Sequence, residues 1–236
     1  MKSNKIMYII IGVCVILVIG FCTFLILNKK EVVLSDAEKF KQEFESYNGA
    51  NYSGGYDGEL IEVSIPEDNP FVYKTPKEIV DIMHNEDCYV LFGYATDPLM
   101  RNAIEVLIEA LNERNITKVY YVDIEDIRDE YTISFPSEKT KEGSEAYYDI
   151  LAFFGDNLEE YLVYDSENNF YYDTGTTRMY SPTFAAIKDY DVVSMHELTV
   201  DTQEDIYREL TNEEKEVLKE YYLEVIDSMN TDSSEN

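Results

Sequence analysis

The sequence feature that most restricts the fold is an apolar run at residues 88–94, followed by an amphipathic pattern that begins at Asp97-Pro98. A short run that is apolar at nearly every position is typical of a strand covered on both faces. After Pro98, apolar residues recur at spacings of three and four up to about Arg114, which predicts a helix with one buried face. A buried strand leading into a buried helix favours an α/β domain.

The remaining apolar patterns complete a β-α-β-α-β order, followed by a hairpin and a final helix. The predicted strands cover residues 60–65, 88–94, 118–124, 183–188 and 192–196, and a further hairpin turns at residues 165–169. The predicted helices begin at Thr75-Pro76, at Pro98, near residue 144 and at Thr211. Strands that alternate with helices predict parallel pairing, and the later hairpin predicts antiparallel pairing, so a mixed central sheet is expected.

Residues 6–27 form an apolar segment without a charged side chain. As a helix rising ~1.5 Å per residue, it is long enough to cross the ~30 Å hydrocarbon core of a bilayer. A cleaved signal peptide and a lipid-modified Cys22 are alternatives, but the segment is long for the first, and the bulky Phe21 precedes the cysteine. We therefore expect a transmembrane anchor at residues 1–28, in a single-pass protein of the cell membrane whose C-terminal domain is extracytoplasmic.

The rest of the chain divides into three parts. Residues 29–59 are expected to hold a helical stalk, opened by a capping box at Ser35, and a glycine-rich linker. The same helix could instead pack on the domain, and the sequence does not decide between these alternatives. The domain itself is expected at residues 60–226, with a tyrosine-rich insertion at about 125–180, and residues 227–236 are expected to be a disordered tail.

The charge of the chain excludes several classes of partner. It holds 48 acidic and 19 basic residues, which gives a formal net charge of −29 at pH 7. Nucleic-acid binding requires clustered Lys and Arg, and anionic lipid headgroups repel an acidic surface, so neither is an expected partner of the domain. The partners that remain are the membrane, through the N-terminal helix, and an unidentified protein or peptide.

The cysteines and histidines offer little chemistry. Cys14 and Cys22 lie in the apolar segment, so Cys88 is alone in the domain and cannot form an intramolecular disulfide or cycle as part of a dithiol. His84 and His196 do not show the spacing of metal ligands, and no phosphate-binding loop or serine-nucleophile motif is found. We therefore expect no catalytic residue, no metal site and no cofactor.

Two motifs resemble those of thioredoxin-like proteins. Residues 92–107, Phe-Gly-Tyr-Ala-Thr-Asp-Pro-Leu-Met-Arg-Asn-Ala-Ile-Glu-Val-Leu, resemble the active-site segment of small bacterial extracytoplasmic members, including bacteriocin-transport accessory types. Ser181-Pro182 and the hairpin after it resemble the cis-proline loop of the family. The resemblance covers residues 60–226. It implies a thioredoxin-like three-layer α/β/α domain with a mixed central sheet, preceded by one N-terminal transmembrane helix.

The chain departs from the family at its redox centre, because Asp97-Pro98-Leu99-Met100 stands where the family has Cys-x-x-Cys. A helix N-terminus stabilises a thiolate, and it stabilises a carboxylate for the same electrostatic reason, but a carboxylate cannot exchange with a disulfide. The thioether of Met100 cannot open a mixed disulfide. Asp97-Pro98 is also an ordinary N-cap followed by proline in the first helical position.

These observations predict a thioredoxin-fold accessory factor that binds a protein or peptide without redox chemistry. The resemblance implies a degenerate binding groove bordered by Asp97, Pro98, Met100, Ser181 and Pro182, in which Ser181 offers backbone groups to an extended peptide. The alternative is a thiol–disulfide oxidoreductase that acts through Cys88 or through thiols of a partner, although the missing Cys-x-x-Cys motif argues against an enzyme. A purely structural domain is the third hypothesis.

Overall fold

The computed structural model of this chain describes residues 33–52, 58–132, 138–165 and 170–230. The predicted membrane anchor lies outside the described residues, as do residues 53–57 of the predicted glycine-rich linker, residues 166–169 of the predicted hairpin turn and residues 231–236 of the predicted tail. Within the described ranges, no helix combines the length and the apolar character needed to cross a bilayer.

The described residues form five α-helices and nine strands. The helices are α1 (Asp36–Ser46), α2 (Pro76–Met83), α3 (Pro98–Glu113), α4 (Glu145–Phe154) and α5 (Asn212–Ser228). The strands are β1 (Phe71–Tyr73), β2 (Cys88–Gly93), β3 (Val119–Asp123), β4 (Glu130–Tyr131), β5 (Lys139–Lys141), β6 (Glu160–Asp165), β7 (Phe170–Thr177), β8 (Thr183–Lys188) and β9 (Asp191–Glu197). Helix α5 continues to Ser228, two residues into the segment that the sequence predicted to be a tail.

Five of the strands form one mixed sheet in the order β1-β3-β2-β8-β9. Strands β1, β3 and β2 are parallel, whereas β8 is antiparallel to β2 and β9 is antiparallel to β8. Strands β4 and β5, and strands β6 and β7, form two separate antiparallel pairs between residues 130 and 177. The predicted α/β class with a mixed central sheet is therefore confirmed.

Capping signals in the sequence correctly mark where helices begin. At the starts of α1, α2 and α5, the side chain of Ser35, Thr75 or Thr211 accepts a hydrogen bond from the third helical N–H. In each case a glutamate at that third position accepts one from the backbone of the capping residue. Each box satisfies two N–H groups that have no partner inside the helix, and such a cap contributes about 0.5–2 kcal/mol.

Two apolar clusters cover the opposite faces of the central sheet. Leu91 of β2 belongs to the cluster that also contains buried residues of α1, α3 and α5. Its neighbours Val90 and Phe92 belong to the cluster that contains buried residues of α2 and α4. Because successive side chains of a strand point to opposite faces, a central strand covered on both sides must be apolar at nearly every position.

The predicted strand at residues 60–65 is not observed, and the prediction is wrong. Val63 and Ile65, two positions apart, are buried, and so is Leu60, but the segment has no partner strand. Side chains take the place of that strand: the N–H of Val63 donates to Asn48 Oδ1 (3.0 Å), that of Ser64 to Glu105 Oε1 (2.6 Å) and that of Ile65 to Glu45 Oε1 (2.9 Å). The first strand of the sheet is instead β1, which the sequence analysis did not identify.

Helix α1, which the sequence left as either a stalk or a packed element, packs on the sheet. Phe40 and Phe44 are fully buried, and their ring centroids lie 4.3 Å apart. The Phe40 ring also stacks on Phe71 of β1 at 4.2 Å and meets Tyr121 of β3 edge-on at 4.9 Å. The apolar side of α1 is thus part of the core that covers one face of the sheet.

Candidate functional site

The candidate site lies at the carboxyl end of β2, where the chain turns into α3. Asp97 is the N-cap of α3, and its Oδ2 accepts a hydrogen bond from the Met100 N–H at 3.1 Å. Pro98 is the first helical residue, where the absent N–H costs no hydrogen bond. The capping role predicted for Asp97-Pro98 is therefore confirmed.

The Ser181-Pro182 segment lies beside this turn. The pairing of Phe92 with Thr183 brings the residues before β8 to the carboxyl end of β2, and the Ser181–Pro182 peptide bond is cis. A Cβ added to Gly93 would lie 2.9 Å from Met100 Sδ and 3.1 Å from Ser181 Oγ. Only glycine allows both side chains to approach the backbone this closely. The structure thus brings all five predicted site residues together.

Burial dominates the electrostatics of Asp97, whose exposed fraction is 7 %. Desolvation raises the pKa of the Asp97 carboxyl to about 6, although several nearby groups act in the opposite direction. These groups are the Ser181 hydroxyl, the N–H groups of Met100 and Leu99, and the Arg128 guanidinium. The Ser181 hydroxyl lies beside the carboxylate, but its Oγ forms no hydrogen bond of acceptable geometry with any described residue.

The five predicted residues form the largely buried floor of the site, and two of them, Asp97 and Pro98, border a cavity. Asp97, Met100, Ser181 and Pro182 are buried, and Pro98 is half-buried. The accessible surface next to this floor consists of two adjoining cavities that share His196, Glu197, Leu198 and Asp201. We call this surface the groove; it is also lined by Leu99, Glu159, Tyr180 and Ile206.

The groove presents apolar side chains that the sequence analysis did not identify. Leu198 and Ile206 are 37 % and 38 % exposed and lie in or beside the loop between β9 and α5. The N–H of Leu198 donates to the Pro182 carbonyl at 2.7 Å, so the loop is joined directly to the floor. Single apolar residues in a polar loop have no periodic pattern that would mark them as part of a site. The available signal for Leu198 and Ile206 was that they follow closely after the hairpin that begins at Thr183.

A third cavity is lined by Asp97 and contains a cationic side chain. Arg128 donates from Nη2 to the Tyr94 hydroxyl at 2.8 Å, and its guanidinium carbon lies 4.7 Å from the centre of the Tyr94 ring. Tyr52, Pro98 and Tyr207 also line this cavity. In this cavity the guanidinium of Arg128 lies among the carboxylates of Asp97 and Glu125, whereas the groove contains carboxylates without a cation; Ile206 lines both.

Cys88 lies at the opposite end of β2 from Asp97. Its side chain is 5 % exposed, and burial raises the pKa of the thiol to about 12. A thiol with so high a pKa remains protonated at neutral pH, whereas thiol–disulfide exchange requires a thiolate. The position and state of this thiol offer no support for a redox role.

The two histidines have packing partners. The His196 ring lies 4.7 Å from that of Tyr221, its Nε2 is 2.8 Å from the Thr199 carbonyl oxygen, and burial lowers the pKa of its imidazole. The His84 ring meets that of Phe153 edge-on at 5.0 Å. Across the part of the chain that the structure describes, no group of three or more His, Cys, Asp or Glu is arranged to hold a metal ion.

Comparison with known proteins adds no relative. No protein-family model matches the chain, no curated protein is similar to it, and no solved structure matches it.

Proposed function

We propose that this chain is a membrane-anchored, extracytoplasmic protein with a thioredoxin-like three-layer α/β/α domain that binds a protein or peptide without redox chemistry. The groove beside Asp97 is the binding site. The anchor rests on the sequence of residues 6–27 alone, and the bacterial, envelope-associated setting rests on the resemblance of residues 92–107 and of the Ser181-Pro182 hairpin.

The sheet supports the thioredoxin-like assignment. Three parallel strands are followed by two antiparallel ones, and the helix that carries Asp97-Pro98 starts at the end of the central strand β2. The Ser181-Pro182 segment lies next to that helix start. In thioredoxin-like proteins these are the places of the redox motif and of the loop that faces it.

One observation supports the proposed function most directly. The groove, which exposes apolar side chains, lies next to residues that contain no redox-active group. The positions that face Ser181 hold the carboxylate of Asp97 and the buried thioether of Met100, neither of which exchanges with a disulfide. Leu198 and Ile206 leave more than a third of their surface exposed at the same place. Apolar side chains next to hydrogen-bonding groups are typical of surfaces that bind extended peptides.

The experiment has a redox arm. The full-length chain, purified in a non-ionic detergent, is assayed for thiol–disulfide exchange with a glutathione-based disulfide, beside Cys88→Ala. We expect equal rates for the two proteins, both at the level of buffer alone. A rate that disappears with Cys88→Ala would instead establish the enzyme alternative and end the non-catalytic proposal.

The experiment also has a binding arm, in which a displayed library of short peptides is selected on the chain. We expect the double variant Leu198→Asp/Ile206→Asp to lose the selected peptides by at least about tenfold in Kd, because two charges would replace the apolar contacts. The control is Val217→Asp, which changes a 44 % exposed valine of α5 outside the groove. Equal losses in both variants, or no selected peptide at all, would reject the groove as a binding site.

A further inference from the structure

The residues that line the groove include carboxylates and no Lys or Arg side chain. Its carboxylates are Glu159, Glu197 and Asp201, and no Lys or Arg is found among the residues that line its two cavities. Arg128 lines the neighbouring cavity, which meets the groove at Ile206 and also contains the carboxylates of Asp97 and Glu125. A partner that lies along the groove therefore meets negative charge without a compensating cation.

Glu197 is the half-buried one of these carboxylates, whereas Glu159 and Asp201 are exposed to solvent. The Thr183 hydroxyl lies 3.2 Å from its Oε1 but only 2.9 Å from the Tyr180 carbonyl oxygen. Because a hydroxyl has one hydrogen, it cannot donate fully to both acceptors. Among the ion pairs of the described residues, none includes Glu197.

The surroundings of Glu197 disfavour its charged form. Burial is the main cause, and the nearby Glu159 adds to it, so that the pKa of Glu197 rises to about 7 even though the Thr183 hydroxyl and the Tyr180 N–H act to lower it. A cation placed beside such a carboxylate attracts it directly, and this attraction offsets the free-energy cost of removing the carboxylate from water. The groove thus has a place for a positive charge that the described chain does not fill.

An apolar surface adjoins this place. Leu198 follows Glu197 directly in the chain. Ile206 and Leu99 line the same cavity. A partner that satisfies both features has a basic side chain next to an apolar one. Two such neighbours in an extended segment would reach the carboxylate and the apolar surface together.

We propose that the groove selects an extended peptide segment in which Lys or Arg stands beside an apolar residue, with the basic side chain paired to Glu197 and the apolar one packed on Leu198 and Ile206. This inference rests on the proposed function and names the chemistry of the partner for that same site. Charge complementarity supports it, because the groove lacks cations and the chain as a whole carries a net charge of −29.

The test uses three fluorescein-labelled synthetic peptides of equal length, with the centres Gly-Lys-Leu-Lys-Gly, Gly-Gln-Leu-Gln-Gly and Gly-Glu-Leu-Glu-Gly. Their binding to the full-length chain in non-ionic detergent is measured by fluorescence polarisation at about pH 8 and near-physiological salt of about 0.15 M. We expect the Lys peptide to bind at least about tenfold more tightly than the Gln peptide. The Glu peptide should bind most weakly.

A matched pair of variants separates the groove from the general negative charge of the chain. Glu197→Gln should reduce the preference for Lys over Gln to about twofold or less while leaving the Gln peptide bound, because only the charge contact is removed. Glu43→Gln removes the same charge from a half-buried glutamate of α1, whose pKa is also raised by burial and whose partner is the Tyr73 hydroxyl. It should leave the preference for Lys unchanged.

The outcomes distinguish this inference from the proposed function. A Gln peptide that binds as tightly as the Lys peptide, or a preference for Lys that both variants reduce equally, would overturn the basic-peptide inference and leave peptide binding intact. Failure of all three peptides to bind, together with an empty library selection, would overturn both.

Discussion

Asp97 combines an ordinary capping role with an environment that opposes its charge. The carboxyl is buried at the start of α3, and burial raises its pKa to about 6. A carboxyl whose pKa is higher in the folded than in the unfolded chain binds its proton more tightly when folded. The folded state therefore loses stability as the pH rises from the ordinary pKa of 3.8 towards about 6, and does not regain it above that range.

From this we predict that Asp97→Asn stabilises the protein at alkaline but not at acidic pH. The amide oxygen can still accept the Met100 N–H, whereas the cost of the buried charge disappears. The free energy of unfolding should rise by about 2–3 kcal/mol at about pH 8, and the gain should vanish at about pH 3.5. Urea unfolding at the two pH values measures both. Asp68→Asn, at an exposed position, is the control, and an equal gain at both pH values would contradict the explanation.

Arg101 is a buried cation that holds several segments together. It is 1 % exposed and lies next to Met100 on α3. It donates to the carbonyl oxygens of Phe44 (3.0 Å), Ala95 (3.0 Å) and Ile61 (2.5 Å), and to Asn48 Oδ1 (2.5 Å). Its side chain thus connects the end of α1, the segment before β1 and the turn that leads to Asp97.

We predict that Arg101→Met destabilises the fold by about 3–5 kcal/mol, because a methionine of similar length removes four hydrogen bonds, two of them buried. Arg101→Lys should recover only part of this loss, since an ammonium cannot reproduce the guanidinium fork. Chemical denaturation provides the measurement. Arg114→Met, which removes a more exposed guanidinium paired with Asp227, should cost much less, because solvent screens the ion pair. Similar losses at the two sites would refute the special role of Arg101.

At the scale of elements, α1 belongs to the core despite its place next to the predicted anchor. Phe40→Ala should therefore lower the free energy of unfolding by about 3–5 kcal/mol, because it removes a ring that packs on Phe44, Phe71 and Tyr121. Tyr47→Ala, at the C-cap of the same helix and 38 % exposed, should cost about 1 kcal/mol or less. A small effect of Phe40→Ala, seen by calorimetry, would mean that α1 is a detachable stalk after all.

Local sequence patterns predict the helix starts and the central strand of this protein, but not the structure of residues 60–65. The capping boxes at Ser35 and Thr211 predicted the starts of α1 and α5 correctly, because a cap is made by residues three positions apart. The buried strand β2 was equally clear, because both of its faces are covered. At residues 60–65 the apolar residues of the predicted strand are buried, but the strand itself does not form. The backbone N–H groups of this segment bond to side chains distant in sequence, which no local pattern specifies.

Only part of the site was predicted, because local sequence patterns do not specify contacts between residues distant in the chain. The five floor residues belong to two motifs with recognisable order, whereas Glu197, Leu198 and Ile206 reach the groove only through tertiary contacts. Arg101 was overlooked because a charged residue is normally expected at the surface. Its position three residues before Ile104, on the buried face of α3, was the available signal.

At the scale of the whole molecule, the excess of acidic residues should make stability depend on ionic strength. With a net charge of −29, mutual repulsion opposes the compact state. We predict that the Tm rises by a few degrees, about 3–8 °C, between about 10 mM and about 200 mM NaCl, as the Debye length shortens. Choline chloride at the same ionic strength should act alike, and an effect limited to sodium would indicate specific ion binding rather than screening.

The segment before β1 has a consequence for how the protein tolerates change. In a β-sheet the partner of a backbone N–H is another backbone group, which no amino-acid replacement removes except proline at the donor. Here the N–H groups of Val63, Ser64 and Ile65 depend on the side chains of Asn48, Glu105 and Glu45. A single replacement at one of these distant positions therefore removes a backbone hydrogen bond of the segment, so mutational robustness should be low at three polar residues that lie outside the apolar core.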